Sequence, residues 1–352
     1  LNGTTVQDAR GDFTYENSRL DFSNTLAINP KEPLYIVGSV PFKLPFATVE
    51  PASDQISLDI DVKNEGLAVL NVFTDQVAWV DGQGEAKVQV RGTLANPIAV
   101  GRVQVNNATI QATALPDPLT NVDGTALFEQ DRIRVQSLTG DFSKGKVAAN
   151  GVIPLKQPFT EADPDYGTPL DIKLDKIALK LKNLYEGGVD GQILVTGAAL
   201  SPVIGGEIRL SKGKVSLTEP PANNAAQAGE SQNQAFNVRF NDLKLALGDG
   251  VVLESQPLLR FVAIGDIMLN GDIDNLQPQG LISLKSGQVN LFTTQFTLER
   301  GYAQTAEFVP GRGLDPELNV RLIALVPEVT NRRQPLVLAP SEILDVPAPA
   351  SS

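Results

Sequence analysis

The sequence lacks both cysteine and histidine over its 352 residues. The absence of cysteine excludes disulfides, thiolate nucleophiles, iron–sulfur clusters and zinc ribbons. The absence of histidine excludes Ser-His-Asp and Cys-His catalysis, histidine-ligated haem and ordinary zinc enzymes. Acid–base chemistry is left to carboxylates, lysine and tyrosine, which serve less often than histidine. The composition therefore disfavours most enzyme classes, and we expect no catalytic residue, no metal site and no cofactor.

Aromatic residues and positive charge are also scarce. Aromatics make up 6% of the chain, and 29 basic residues stand against 41 acidic ones, for a net charge of −12. A carbohydrate-binding surface would need exposed Trp and Tyr for stacking, and a membrane barrel would need aromatic girdles. The acidic balance argues against general binding to nucleic acid or to an anionic membrane surface. We expect no nucleic-acid partner.

Long hydrophobic runs are missing as well. A membrane helix needs about 18 apolar residues, and the best run, Leu322 to Val326, stops at Pro327. The chain starts at Leu1 without a signal-peptide pattern and ends in a Pro-, Ala- and Ser-rich stretch. From these features we expect a soluble piece of a longer protein.

What the sequence has in abundance is alternation with a period of two. From Ile56 to Lys63, apolar and polar residues alternate strictly, and the pattern recurs as far as Leu322. Such alternation predicts half-buried strands with one apolar face. Turn signals such as Asp123-Gly124 and Asn150-Gly151 separate the runs, as in a meander. The sequence predicts an all-β fold built on a long antiparallel sheet, with one short helix near 64–74.

A nineteen-residue pattern occurs three times, over residues 92–110, 197–215 and 271–289. Its first and tenth positions are glycines: Gly92/Gly101, Gly197/Gly206 and Gly271/Gly280. Apolar residues follow at alternate positions, so the unit reads as a strand end, a loop, a strand, a tight turn and another strand. The copies recur without a strict period, which is unlike a propeller or a leucine-rich solenoid.

An apolar sheet face must be covered, and almost no helix is available to cover it. Three solutions remain: a second sheet, closure into a barrel, or a sheet curled into a groove. Val, Leu and Ile dominate the apolar face, and a groove of this composition suits straight hydrocarbon chains. The alternative that these residues fill an ordinary sandwich core stays open.

The repeat resembles those of TamB-like proteins, which belong to the AsmA-like superfamily. Its sequence style is similar to that of the cyanobacterial members. Two further stretches carry the resemblance: residues 64–97, and the segment from Phe296 to Val320 with its Asp315-Pro316-Glu317-Leu318 motif. The resemblance covers roughly residues 35–326 and points to the C-terminal part of such proteins. It implies a β-taco, a U-shaped apolar trough.

The resemblance also implies a function and a location. It implies a periplasmic segment of an inner-membrane-anchored protein that bridges the two membranes of a diderm envelope, carries phospholipid and takes part in outer-membrane biogenesis. The expected partners are phospholipid acyl chains and an outer-membrane barrel of the TamA type, with membrane contact only through parts outside this chain. The groove residues implied are Ile56, Leu58, Ile60, Val88, Val90, Val103, Val105, Ile110, Ile133, Val135, Ile172, Leu174, Leu179, Ile208, Leu210, Val215, Val238, Phe240, Ile282, Leu284, Val289, Leu318 and Val320.

We expect five regions along the chain. Strands leading into the groove occupy 1–34, a first groove section 35–217, a flexible loop 218–235, a second groove section 236–330 and a solvated tail 331–352. Two alternative functions stay open. One is a scaffold that docks an outer-membrane barrel through strand edges and assists its assembly. The other, a carboxylate-only polysaccharide enzyme, would need a paired-acid cleft and aromatic platforms that the sequence does not offer.

Overall fold

The computed structural model describes residues 8–27, 34–45, 48–69, 77–113, 115–199, 201–217, 238–272, 275–291 and 294–324. Over these ranges the chain is almost entirely β-strand, which confirms the predicted fold class. The strands are β1 (Asp8–Glu16), β2 (Arg19–Ala27), β3 (Leu34–Pro41), β4 (Ser57–Lys63), β5 (Val77–Gly92), β6 (Pro97–Ala112), β7 (Leu119–Gln130), β8 (Arg132–Phe142), β9 (Gly145–Pro154), β10 (Leu170–Leu181), β11 (Tyr185–Ala198), β12 (Ser201–Ser216), β13 (Arg239–Ser255), β14 (Leu259–Asp272), β15 (Asn275–Leu291), β16 (Thr294–Leu298), β17 (Thr305–Phe308), β18 (Glu317–Asn319) and β19 (Leu322–Ala324).

The strands form one 19-stranded sheet in which neighbours in sequence, up to β15, are neighbours in space. From β1 to β15 each strand pairs with the next, and β16 and β17 then share the far edge of β15. Strands β18 and β19 pair outside β17 and β16. The sheet is curled but does not close on itself, so β1 lies at one edge and β18 and β19 at the other.

One pair departs from the predicted antiparallel pattern, because β12 and β13 are parallel. Hairpin connections join antiparallel strands, whereas a parallel pair requires a connection of a dozen residues or more. The connection between Ser216 and Arg239 is long enough to meet this requirement. The predicted loop 218–235 falls within this connection and lies outside the described residues, as does the predicted tail 331–352.

Strand register puts the apolar residues on one face of the sheet, which we call the inner face. A single row of directly paired positions crosses seven strands there, with Gly265 on β14 between the positions on β13 and β15. Its side chains belong to Ile177, Val189, Leu210, Leu247, Ile282 and Ala306. Since side chains alternate between faces, the polar residues between them point outward.

Buried side chains on the inner face form two clusters. The first is built on β3 to β7 and contains Leu34, Val62 and Val122. The second is built on β8 to β17 and contains Ile177, Val251 and Ala263. Leu119, which is half-buried, packs against both clusters. The apolar interior is therefore continuous from one half of the sheet to the other.

Two glycines of the repeated pattern occupy positions that no other residue fits. A Cβ placed on Gly206 would stand 2.2 Å from the carbonyl oxygen of Gln192, and one on Gly280 would stand 2.3 Å from that of Asp266. Their φ angles are +107° and +153°, a region that side chains rarely adopt. Both glycines lie on the inner face, so they let neighbouring backbones approach closely there.

The predicted helix is present as a short 3-10 helix, η1, over Asn64–Val69. Residues 70–74 of the prediction lie outside the described residues. The Oδ1 atom of Asn64 accepts a hydrogen bond from the backbone N–H of Gly84 at 3.1 Å. Leu67 and Trp79 are both buried in the first cluster, so η1 covers the inner face of β5.

Candidate functional site

The main candidate site is an apolar cavity on the inner face, with a volume of about 670 Å³. This volume falls within the roughly 300–1,000 Å³ of typical ligand sites. All of its exposed surface is apolar. Its lining comprises Leu115, Leu119, Phe142, Val147, Ile172, Leu174, Ile177, Leu179, Leu181, Leu184, Tyr185, Val189, Ile193, Ile208, Leu210, Val215, Leu217, Leu245, Leu247, Leu253, Ile267, Ile282 and Phe308. We call this cavity the trough.

Strand alternation explains how the chain builds the trough. On β13, Leu245 and Leu247 face the trough, whereas Ala246, which stands between them, faces outward. The same alternation on β12 turns Ile208 and Leu210 inward. Each strand thus contributes every second residue to one continuous hydrocarbon surface.

The predicted groove residues fall into four groups in the structure. Seven line the trough: Ile172, Leu174, Leu179, Ile208, Leu210, Val215 and Ile282. Eight more pack in or against the two clusters: Leu58, Ile60, Val103, Val105, Ile110, Leu284, Val289 and Val320. Seven are half-buried without belonging to either cluster: Ile56, Val88, Val90, Ile133, Val135, Val238 and Phe240. Leu318 is 64% exposed, although it pairs directly with the buried Ala306, because it lies on the outermost strand.

The long sides of the trough end in two rows of turns, which we call lips. The first, the leucine lip, is formed by residues 113, 115–118, 143–144, 182–184 and 256–258 and by the strand ends at Leu217 and Leu291. The second, the acidic lip, is formed by residues 93–96, 131, 155–169 and 199 and by the strand ends at Ser201, Asp272 and Asn275.

Four leucines of the leucine lip were missed by the sequence reasoning. Their exposed fractions are 57%, 47%, 44% and 42% for Leu184, Leu217, Leu258 and Leu291 respectively. Leu184 and Leu217 also line the trough. Each of the four stands at a strand end beside a turn or connection, outside any alternating run. A leucine at such a place is the signal that could have identified the lip.

The acidic lip is held by a network of ion pairs around Asp165. Arg132 and Arg134 contact the Oδ2 atom of Asp165 at 2.7 and 3.0 Å, and Arg134 also pairs with Glu129 at 3.0 Å. The hydrogen bond from Arg132 lowers the pKa of Asp165, and Arg134 lowers it further. The Arg132 guanidinium lies 4.7 Å from the centroid of the Phe159 ring. These contacts fasten the β9–β10 loop to the sheet.

Among the described residues that line the trough, Tyr185 is the one with a polar side-chain atom. Its hydroxyl donates a hydrogen bond to the carbonyl oxygen of Gly188 at 2.8 Å. Burial raises the pKa of this phenol, so it stays protonated at neutral pH. Among the described residues, no group of three or more acidic side chains is placed to hold a metal ion. The geometry of the trough suits the binding of hydrocarbon rather than proton transfer.

Comparisons with known proteins agree on one family. A family model described as the TamB C-terminal domain matches residues 136–341. The chain is 26% identical over 318 residues to Protein SUBSTANDARD STARCH GRAIN 4, chloroplastic, of Oryza sativa subsp. japonica, and 27% identical over 326 residues to Protein TIC236, chloroplastic, of Arabidopsis thaliana. Each match covers 76% of this chain and 15% of the relative.

The chain thus spans a small part of the length of these curated relatives. No solved structure matches it significantly. In the described ranges, no helix combines the length and the hydropathy that a transmembrane span requires.

Proposed function

Because the chain belongs to the TamB family, whose C-terminal domain model matches more than half of it, we propose that it is a segment of a conduit that carries phospholipid between two membranes. In this proposal the acyl chains lie in the trough and the headgroup stays in water. The segment performs no catalysis, since its task is to shield hydrocarbon. The predicted groove residues are proposed as the acyl-chain contacts.

The observation that carries this proposal is the entirely apolar surface of the trough. A protein that only needed a core would bury this surface against a second layer, whereas here 19 strands curl round it without closing. An open hydrocarbon surface of this size in water calls for an apolar occupant.

The free-energy cost of exposing acyl chains to water explains why a lipid needs an apolar path between two membranes. Exposing an acyl chain to water costs about 0.8 kcal/mol per methylene, or roughly 12 kcal/mol for a sixteen-carbon chain. A diacyl lipid faces about twice that cost, which makes unassisted crossing slow. Contact with Val, Leu and Ile side chains along the trough removes most of this barrier.

We place the segment in the space between the two membranes of a diderm envelope, as part of a longer protein anchored in the inner membrane. The family match supports an envelope location, and both curated relatives are named as chloroplastic proteins. A TamA-type outer-membrane barrel is the proposed protein partner. Anchor and partner belong to the whole protein, of which the matched region forms a small part.

Lipid occupancy can be tested by photo-crosslinking with a phosphatidylcholine that carries a diazirine in one acyl chain. Leu245→Glu places a carboxylate in the trough, so we expect crosslinking to fall at least about tenfold. Ala246→Glu is the matched control, because this neighbour faces outward on the same strand. We expect the control to crosslink like the unsubstituted chain.

Equal crosslinking of the two variants, with circular dichroism showing that both are folded, would contradict the proposal. Mass spectrometry of lipid extracts from the purified chain gives an independent readout. The proposal expects phospholipid to co-purify with the unsubstituted chain and to be depleted from Leu245→Glu.

The second function, a scaffold for barrel assembly, is favoured by the edge of the sheet at β1. Within the described residues, β1 pairs with β2 alone, which leaves its other side without a strand partner. Such an edge can accept a strand from another protein. The substitution Phe13→Pro, in the middle of β1, should abolish capture of a barrel protein and leave acyl-chain crosslinking intact. Capture that survives this substitution would contradict docking of a barrel at the β1 edge.

A further inference from the structure

The outward side of the leucine lip carries lysines in an otherwise acidic protein. Lys144, Lys212 and Lys214 line a depression of about 660 Å³ next to the turn at 143–144. Lys182 stands in the β10–β11 turn, beside Leu184. We call these four residues the lysine cluster.

The lysine cluster is not neutralised by the carboxylates around it. Within the described ranges, no ion pair involves any of its four ammonium groups. Glu186, which also lines the depression, is paired with Lys180 at 3.3 Å. Asp117 is the remaining acid of the lining. The depression therefore keeps a local positive charge on a chain whose net charge is −12.

The lysine cluster and the leucine lip belong to the same strand ends. On β12, Lys214 points outward, Val215 faces the trough and Leu217 stands at the end of the strand. In the β10–β11 turn, a lysine (Lys182) again stands close in sequence to a leucine of the lip (Leu184). Lysine stems are long enough to carry the ammonium group to the rim of an apolar surface.

The two lips differ in charge, which gives the trough a polarity across its width. Turns of the leucine lip carry Lys144 and Lys182 against Asp117. The acidic lip carries four carboxylates and one lysine in its connections: Asp131, Lys156, Glu161, Asp163 and Asp165. Arg132 and Arg134 pair with three of these carboxylates, and the carboxylates together with Glu129 still outnumber the three cations. An anion at the mouth of the trough is therefore favoured at the first lip over the second.

We propose that the lysine cluster binds the phosphate of an anionic lipid headgroup while the acyl chains of the same lipid lie in the trough. This inference rests on the proposed function and adds a headgroup preference to it. The leucines of the lip contact the chains where they bend out of the trough, and the ammonium groups hold the headgroup. A lipid with a net negative headgroup is then retained better than a zwitterionic one.

The test compares two diazirine lipids with identical acyl chains, one with a phosphoglycerol and one with a phosphocholine headgroup. We expect the unsubstituted chain to crosslink the phosphoglycerol lipid about tenfold more than the phosphocholine lipid at low salt. Replacing all four cluster lysines with glutamine should remove this preference and leave phosphocholine crosslinking unchanged. Salt should weaken the preference in the same way, because it screens exposed charges.

A control variant loses the same charge elsewhere and should keep the preference. Its substitutions are Lys156→Gln, Lys173→Gln, Lys244→Gln and Lys285→Gln. Titration with inorganic phosphate alone identifies the source of the anion. Phosphate binding that the cluster variant loses, combined with equal crosslinking of the two lipids, would assign the lysines to a free anion and overturn the lipid headgroup proposal.

The remaining outcomes separate this inference from the proposed function. Equal crosslinking of both lipids by the unsubstituted chain would overturn the inference and leave the conduit standing. A preference that survives in the cluster variant would also overturn it. Crosslinking of neither lipid by the unsubstituted chain would overturn the conduit and the headgroup site together.

Discussion

Gly206 shows how a single residue permits the close approach of two neighbouring strands. Its missing side chain lets the backbone of β12 approach that of β11 so closely that a Cβ would overlap the Gln192 carbonyl oxygen. Its φ of +107° is also unfavourable for residues with a side chain. The position thus combines a steric and a conformational demand for glycine.

We predict that Gly206→Ala lowers the free energy of unfolding by about 2–3 kcal/mol. The same change at Gly167 is the control, since a Cβ there meets nothing within 4 Å. Urea unfolding followed by circular dichroism measures both. A Gly206→Ala chain that unfolds at the same urea concentration as Gly167→Ala would contradict the close approach.

Residue identities could be predicted from the sequence where they follow a period. The alternating runs predicted that Leu210 and Ile282 face the interior, and both are buried. The repeat showed that Gly206 and Gly280 correspond, but their close contact with a neighbouring strand depends on register, which alternation does not encode. The positions of Leu184 and Leu217 on the lip were not predicted, because an isolated leucine beside a turn belongs to no periodic pattern.

At the scale of elements, the β9–β10 loop depends on charge more than on hydrophobic burial. The side chain of Asp165 is 16% exposed and accepts from two arginines. Because its pKa is lowered in the folded chain, the stabilising contribution is present above the unfolded pKa. It is lost as the pH falls through the folded pKa.

We therefore predict that Asp165→Asn costs about 1 kcal/mol of stability at neutral pH and progressively less below about pH 4. Limited proteolysis within residues 155–169, together with urea unfolding at several pH values, measures the effect. Asp175→Asn serves as the control, because this carboxylate is 63% exposed and its lysine partner is solvated. A cost for Asp165→Asn that does not change with pH would contradict an ionic origin.

The 3-10 helix η1 contributes to the fold through Leu67, which is 3% exposed and packs near Trp79. Leu67→Ala should lower the free energy of unfolding by about 2–4 kcal/mol. The chain has one tryptophan, so its emission reports this site directly and should shift to the red as water enters. Leu94→Ala, at a residue that is 63% exposed, should change neither stability nor emission.

The elements illustrate what local sequence can specify. Alternation and turn signals predicted the strands, and apolar spacing predicted the helix that begins at Asn64. The parallel pairing of β12 with β13 could not be predicted, because both strands alternate like their antiparallel neighbours. Their relative direction depends on the connection between Ser216 and Arg239 rather than on the strands themselves.

At the scale of the whole molecule, each strand contacts mainly its neighbours in sequence, so stability should be local. We predict that Leu284→Ala, which creates a cavity in the second cluster, raises amide hydrogen exchange in β13 to β15. Exchange in β3 to β6 should stay at the rate of the unsubstituted chain. A uniform increase over the whole sheet would show instead that the molecule unfolds as one unit.

The serial order of the strands also bears on how such a chain can change during evolution. Inserting or deleting one hairpin alters the span of the sheet by two strand spacings, or roughly 10 Å. All the remaining turns then stay on the lip to which they belong. Insertion of a single strand would instead send all later turns to the opposite side, as the parallel pair does once here. Homologues should therefore differ in length by pairs of strands, so that the length of the trough changes in fixed steps.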